Sequence, residues 1–499
     1  MGSPGWGPAG LRGVRPGGMG AEEEGMNEGE ARLGGARELA GGVLEDLRAL
    51  WANRDFRRLW IGQSVSSIGD WLATFALMAL VWNRSRSAAA VAGLLVLRIV
   101  PSAFSGAVAT WISDRWDRKK ILIYCDLLRG LLIMWVAVLD SLAYLYVLIF
   151  CMEFITIIYL AARDASLPNL VEGENRLTMA NSMTLGSAYG SIPLAAAVFA
   201  LLKVGSSPLL RGLEGMVFFS DHPYAFSLLA DALTFFFSAL MIKRISRPLI
   251  LHGERRVGEA GAGEEKERVN PREVLAFAFH NRFMRTLTAA LATGTLGGGA
   301  LFAVGVVYVN EVLGGNDTQF GFLMALFGLG MLAGIVGLQF LARIRAKWFI
   351  FKLGLLGAGG TLIWMSLITV MFMAYVAALV FGAAFSVIFL TGITMVQEVI
   401  EDRNRGKAFA VFHSVSRIFL LLGAALAAGL AGAVGDFHLH LGIFRLHVWG
   451  TTIAMFVAGV LIASVAFLPL RQRLEESGTE IVTGEEDLEA DTGKSFPGA

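Results

Sequence analysis

The sequence predicts an all-α membrane protein of twelve transmembrane helices in two pseudo-symmetric six-helix bundles. Three observations carry this. The chain of 499 residues is 55% hydrophobic and only 17% charged, with a mean hydropathy of +0.61, whereas soluble domains carry about 25% charged residues. Apolar windows recur along it, each near the roughly 20 residues a helix needs to cross the hydrocarbon core. The windows fall into two sets of six, and the second set repeats landmarks of the first.

Residues 1–50 are rich in Gly, Arg, Glu and Ala and hold no apolar run. Such a segment cannot bury a core and is expected to be a disordered cytoplasmic tail, without the apolar stretch of a secretory signal. The amino-terminal bundle occupies 51–244, with windows near 58–82, 88–112, 120–140, 142–162, 178–203 and 223–243. A polar central loop follows over 245–285, cytoplasmic by the charge rule below. Within it, Pro271 to Arg285 gathers Val274, Leu275, Phe277, Ala278 and Phe279 on one side, the pattern of an amphipathic helix lying on the membrane surface. The carboxy-terminal bundle occupies 286–470, with windows near 286–312, 319–342, 347–369, 372–397, 408–434 and 445–469. The turn between its third and fourth windows is placed near Thr369 to Ala374. Residues 471–499 are acidic and Gly-rich and form a second tail expected to be disordered.

Basic residues set the orientation, because cytoplasmic loops carry the Lys/Arg excess. Arg54, Arg57 and Arg58, then Arg115, Arg118, Lys119 and Lys120, then Arg343, Arg345 and Lys347, then Arg403, Arg405 and Lys407 all fall on one side. Both termini are therefore expected in the cytoplasm, with the chain in the cell (inner) membrane as a multi-pass protein. The net charge of +1 offers no basic field for nucleic acid. Cys125 and Cys151 lie in apolar runs, outside any CxxC or metal spacing. No Gly-rich phosphate loop and no nucleophile constellation is present. No enzyme, metal or cofactor is predicted.

The repeat has one dominant offset. Asn53-Arg54 recurs as Asn281-Arg282, Gly93 as Gly321, and Arg115-Trp116-Asp117-Arg118-Lys119 as Arg343-Ile344-Arg345-Ala346-Lys347, each 228 positions on. Asn175-Arg176 recurs closely as Asn404-Arg405. Duplicated halves with a site between them are a transporter architecture.

Charges inside the membrane are costly and face the bundle interior. Counted at about 1.5 Å per residue, Asp70, Arg98, Arg129 and Glu153 fall near mid-membrane, with Asp126 nearer the cytoplasm. Asp126 and Arg129 share a helix face. A proton-coupled site needs carboxylates that burial and nearby cations can bias in opposite directions, so Asp70, Asp126 and Glu153, with Arg98 and Arg129 as partners, are the candidate coupling and substrate residues. A static ion-pair network that specifies helix packing is the other reading. Asp231, placed shallower and towards the outside, and Arg417 are secondary candidates. Gly186, Gly190 and Pro193 in the fifth helix are candidates for close packing or a kink, and Gly297, Gly298 and Gly299 in the seventh for a gating bend or a close contact. His438, His440 and His447 are read as an outer loop.

The stretch Ser113-Asp114-Arg115-Trp116-Asp117-Arg118-Lys119-Lys120 resembles the signature loop of the major facilitator superfamily, with Thr110 and Asp117 where that family usually carries Gly. Asn53-Arg54-Asp55-Phe56-Arg57-Arg58-Leu59-Trp60, Gly69-Asp70-Trp71, Arg98 before Pro101, Asp126-Leu127-Leu128-Arg129, Leu167-Pro168 and Ala180-Asn181 are similar to its drug and siderophore efflux branch, including macrolide- and enterobactin-exporter-like proteins. The resemblance covers about residues 50–475. It implies the family's fold and a secondary transporter exporting a small organic or amphipathic compound by proton antiport, working in the bilayer as a monomer. It implies that Asp114, Arg115, Arg118 and Lys119 form a conformational latch, a role suited to charge-assisted Arg–carboxylate pairs. The Gly/Pro motif of antiporters in the fifth helix is only partly kept. An importer or lysolipid-flipping transporter on the same fold, and a non-transporting receptor or scaffold, are the alternatives.

Overall fold

A computed structural model describes residues 45–103, 112, 115–171, 173–203, 222–247, 249, 281–341, 347–400, 402–441 and 444–467. Among the described residues, the amino-terminal half comprises α1 (Arg54–Ser85), α2 (Ala88–Ile99, continued by a 3-10 turn, Val100–Ala103), α3 (Arg118–Val138), α4 (Leu142–Leu170), α5 (Glu174–Lys203) and α6 (Ala225–Lys243). The carboxy-terminal half comprises α7 (Arg282–Val307, closed by a π-helical turn, Tyr308–Val312), α8 (Asp317–Leu341), α9 (Lys347–Leu367), α10 (Met371–Val399), α11 (Asp402–Val434), a two-stranded hairpin of β1 (Phe437–Leu441) and β2 (Phe444–Val448), and α12 (Gly450–Ala466). Among the described residues, ten helices are long and apolar enough to cross a membrane; α2 and α12 are the shorter apolar ones.

The repeated Asn-Arg landmark is a repeated helix start. Asn53 Oδ1 accepts the backbone N–H groups of Asp55 and Phe56 at 3.1 Å each, and Asn281 Oδ1 accepts that of Met284 at 2.9 Å. Each Asn thus satisfies donors that the first helical turn leaves without partners. Because Asn281 caps α7 at Arg282, residues 282–285 belong to α7 and not to the surface helix expected over 271–285; residues 250–280 of the central loop lie outside the described residues. The motif following Asn53 is also anchored. Asp55 accepts the N–H groups of Ser246 and Arg247 at 3.0 Å each, and Trp60 Nε1 donates to the Met183 carbonyl at 3.1 Å.

Three local expectations change. The amino-terminal tail ends sooner than composition suggests: residues 45–52 are helical, Leu50 is buried with Phe56 and Leu59, and Trp51 meets Trp60 edge-on at 5.5 Å. The outer loop is a hairpin in which His438 stands opposite His447, because Phe-His-Leu-His-Leu and Phe-Arg-Leu-His-Val alternate with the period of a strand; α12 therefore begins at Gly450. The turn between α9 and α10 is Ile368-Thr369-Val370, three β-branched residues that favour helix least among apolar and hydroxyl side chains.

In the amino-terminal half α6 packs against α1 and α3, α4 against α3, and α5 against α1. In the other half the pairs are α7 with α11, α8 with α10, and α9 with both α10 and α12. Three of these crossings are reciprocal. A β-carbon on Gly299 would strike the Leu420 backbone, and one on Gly423 the Leu296 backbone. Gly330 and Gly382 stand in the same relation across α8 and α10, as do Gly359 and Gly459 across α9 and α12. Missing side chains let helix backbones approach closely where lipid supplies no hydrophobic drive between helices. The triplet in α7 turns one residue to each neighbour: Gly297 to Ile462 and Leu362, Gly298 to Phe385, and Gly299 to α11.

The halves meet along α5 with α8 and α2 with α11. Outside these contacts the helices present apolar surface. Trp135, Tyr144, Val147, Leu367 and Phe372 are all more than half exposed, and the apolar windows of α4 and α11 are only 28% buried inside the protein. That outer surface needs lipid as its solvent.

Candidate functional site

The charged residues inside the amino-terminal bundle converge from five helices: Asp70 of α1, Arg98 of α2, Asp126 and Arg129 of α3, Glu153 of α4 and Asp231 of α6. They form two layers. Arg98 Nε donates to Glu153 Oε1 at 2.7 Å, and these side chains keep 23% and 15% of their surface accessible. Arg98 also bonds the Thr74 hydroxyl, which itself donates to the Asp70 carbonyl at 2.6 Å. Asp70 is half-buried beside them.

Behind this layer the second is sealed. Asp126 and Arg129 pair directly, at 0% and 2% exposure. The Arg129 guanidinium lies between two rings, with Cζ 4.3 Å from the centre of Tyr159 and 4.4 Å from that of Phe235, an arrangement that offsets part of the cost of burying the cation. Asp231 is fully buried. Its carboxylate lies over Gly69, where any β-carbon would strike it, and Thr234 Oγ1 donates to its Oδ1 at 3.2 Å. Asp231 therefore stands level with Asp70 rather than shallower than it. Thr74, Tyr159 and Thr234 were not singled out in the sequence, where a lone hydroxyl on an apolar helix carries no signal.

The remaining sequence candidates lie elsewhere. In the α2–α3 loop Arg118 Nη1 donates to the Ala165 carbonyl at 2.8 Å and Lys119 Nζ to that of Ile245 at 2.7 Å. Asp117 replaces the usual Gly because it caps α3, accepting the Lys119 N–H at 2.9 Å. Arg115 is exposed; Asp114 lies outside the described residues. Arg417 is an exposed residue of α11, in the carboxy-terminal half. His438 and His447 stack at 4.5 Å, and His447 on Trp449 at 4.4 Å.

A seam between the halves closes the end of the molecule opposite the termini. Pro193 of α5 seats against Gly328 of α8, and Ala200 against Gly321; a β-carbon on either glycine would come within 2.7–2.8 Å of them. Phe320 meets Phe75 at 6.3 Å and Phe199 at 6.4 Å. Trp71 Nε1 donates to the Ala188 carbonyl of α5 at 3.1 Å, while its ring stacks on Phe302 of α7 at 6.0 Å. At the outermost level Asp317, first residue of α8, accepts from Tyr224 and from Asn83 Nδ2 at 3.2 Å. Burial, with the Asp317 carboxylate beside it, pushes the Tyr224 phenol above its ordinary range and keeps it a donor. Lys203 Nζ lies 3.6 Å from the Tyr224 ring. Further towards the other end, Gly186 and Gly190 of α5 and Gly337 of α8 have nothing within 4 Å of a β-carbon.

The profile of the family described as Major Facilitator Superfamily matches residues 59–401 and 286–484. The chain belongs to the major facilitator superfamily. It is a multi-pass membrane transporter with that family's fold. A Bacillus subtilis (strain 168) protein, the uncharacterized MFS-type transporter YfiS, is 24% identical over 440 residues, covering 85% of this chain and 95% of its own. Among solved structures, a bacterial homologue of the human lysosomal transporter Spinster, inward-facing and unoccupied, superposes with a TM-score of 0.60 at 15% identity, over 86% of this chain and 94% of its own. The nucleoside transporter NupG superposes with a TM-score of 0.62 at 11% identity, over 83% and 97%. A POT family transporter bound to a thioalcohol-conjugated peptide gives 0.60 at 11%, over 84% and 95%. At these identities the likeness concerns the fold; cargo is a property of each site.

The seam makes a testable prediction for this transporter. Gly328→Leu should wedge α5 and α8 apart, because its side chain would displace the Pro193 backbone. A cysteine introduced at Asn83, in a background lacking Cys125 and Cys151, should then react several-fold faster with a membrane-impermeant thiol reagent. Unchanged labelling would show that Gly328 does not hold this end closed.

Proposed function

We propose that this transporter exports a small organic or amphipathic compound (a drug, siderophore or metabolite) from the cytoplasm by alternating access, driven by proton entry. The observation that carries the reading is the two-layered charge cluster of the amino-terminal half. Its accessible members, Asp70, Arg98 and Glu153, are backed by the sealed Asp126–Arg129 pair. Accessible carboxylates among fixed guanidiniums are groups that a proton and a substrate can compete for.

With both termini in the cytoplasm, the end closed by Asp317, Tyr224 and Asn83 is the outer one, and the end with open space beside Gly186, Gly190 and Gly337 faces inward. Substrate enters from the cytoplasm between α5 and α8. Protonation within the cluster weakens its hold on Arg98, and the bundle rocks about the seam. Arg115, Arg118 and Lys119, with Asp114, act as the latch on the inner side, where Arg118 and Lys119 already tie α3 to the ends of α4 and α6. The carboxy-terminal half, with its reciprocal glycine contacts, serves as the stiffer partner.

The test is proton flux in proteoliposomes with hydrophobic cations, macrolides and siderophores as substrates. Substrate-dependent proton movement that disappears in Asp70→Asn is the expected result. Substrate movement without proton movement would overturn the coupling. Flux of substrate running with the protons would make the protein an importer.

A further inference from the structure

The cluster holds four carboxyl groups, Asp70, Asp126, Glu153 and Asp231, but only two guanidiniums, Arg98 and Arg129. Both guanidiniums are already engaged. Arg98 bonds Glu153, and Arg129 bonds Asp126. Asp70 and Asp231 are left over, and among the described residues neither makes a direct ion pair.

Asp231 reaches the turn of α1 that carries Asp70. Asp231 approaches α1 at Gly69, the residue next to Asp70, and only the missing side chain there makes room for its carboxylate. Asp231 is 0% exposed, and its Oδ2 has no hydrogen-bond partner. Its Oδ1 receives a single neutral hydroxyl, that of Thr234. The charged groups that bear on it are Asp70 from α1, Arg98 from α2 and Arg129 from α3, and the two cations are committed to other acids. Glu153 of α4 and Asp126 of α3 also bear on Asp70.

We propose that Asp70 and Asp231 form a carboxylic acid–carboxylate pair that carries one proton between them at neutral pH, and that this pair, rather than Glu153 or Asp126, is the proton-binding site of the transporter. The physical reason is the one that makes two close carboxyl groups share a proton: adjacent like charges, one of them fully buried, cannot both ionise. The unpartnered Oδ2 of Asp231 is the atom that takes the proton, which leaves Asp70 ionised towards the cavity and towards Arg98. The proton comes from the aqueous phase through the accessible layer and returns to it by the same route after reorientation. Nothing else is consumed or released.

This inference deepens the antiport reading and rests on it for its role in transport, but proton occupancy is measured without any substrate. Infrared difference spectroscopy on the full-length protein in lipid, stepped across neutral pH, should show the carbonyl stretch of a protonated carboxylic acid. The band should persist in Glu153→Gln and Asp126→Asn and disappear in the Asp70→Asn/Asp231→Asn double variant. Isotopic labelling guards against a variant that fails to fold. In the unmutated protein, heavy-carbon aspartate should shift the band and heavy-carbon glutamate should leave it in place. No protonated band at neutral pH, a band that survives the double variant, or one that moves with labelled glutamate would each overturn the proposal. The aspartate band without substrate-driven proton flux would retain the pair and overturn antiport instead.

Discussion

Replacing Gly299 with leucine is expected to stop the carboxy-terminal bundle from assembling. The new side chain would begin inside the Leu420 backbone, with the carbonyl carbon of Leu420 at 2.8 Å and the Ala424 nitrogen at 2.9 Å from its β-carbon. A flexible side chain could swing away, but helix backbone moves only if α7 and α11 separate along their length. Separation would also pull Gly423 off Leu296, since the two contacts are reciprocal. The loss should lie at or beyond the upper end of the ~1–3 kcal/mol typical of an overfilled core. Gly429→Leu is the control, on the partner helix α11 but with open space within 4 Å; it should cost no more than about 0.5 kcal/mol. Thermal unfolding in detergent, followed with size-exclusion profiles, distinguishes them. Equal stability of the two variants would mean that the α7–α11 crossing does not depend on Gly299.

The second large effect concerns Arg129. Arg129→Ala would strand the Asp126 carboxylate at 0% exposure, with its other oxygen already lacking a partner. Removing one member of a buried ion pair costs about 3–5 kcal/mol because the remaining charge is left uncompensated. The lost guanidinium also leaves a gap between the Tyr159 and Phe235 rings. Asp126→Leu combined with Arg129→Met removes both charges and refills the space, and should recover most of the loss. A double variant no more stable than Arg129→Ala would show that the pair is held by more than its mutual attraction. Recovery of stability together with substrate transport would assign Asp126 and Arg129 to supporting the cluster from behind.

The helices were legible in the sequence because each rests on one strong signal, an apolar run of spanning length. The landmark pairs at Asn53 and Asn281 carried a second signal, since a helix cap is local and its residue type is characteristic. Signals that cross between segments were not legible. The hairpin at Phe437–Val448 is short and includes His and Arg on alternating positions, so it resembled a polar loop until its two strands were seen paired. The level of Asp231 is not legible from its own apolar window, because it is fixed by α1 through Gly69. Asp317 looked like an ordinary polar residue before a helix; its partners Asn83 and Tyr224 come from the other half of the chain. The convergence of Arg98 with Glu153 and of Arg129 with Asp126 followed from the rule that charges inside a membrane seek the interior, but which acid would be left without a cation required the packing.

Asp70 and Trp71 are consecutive residues on one turn of α1. The first belongs to the charge cluster, and the second is wedged between the Ala188 carbonyl and the Phe302 ring of the opposite half. Successive helical residues point about 100° apart, so a small roll of α1 that re-aims one must drag the other. Chemistry and mechanics are thus geared on the same axle: a change in charge beside Asp70 needs no relay of intermediate residues to reach the boundary between the halves, and the stroke of the transporter can be as short as a single side-chain spacing.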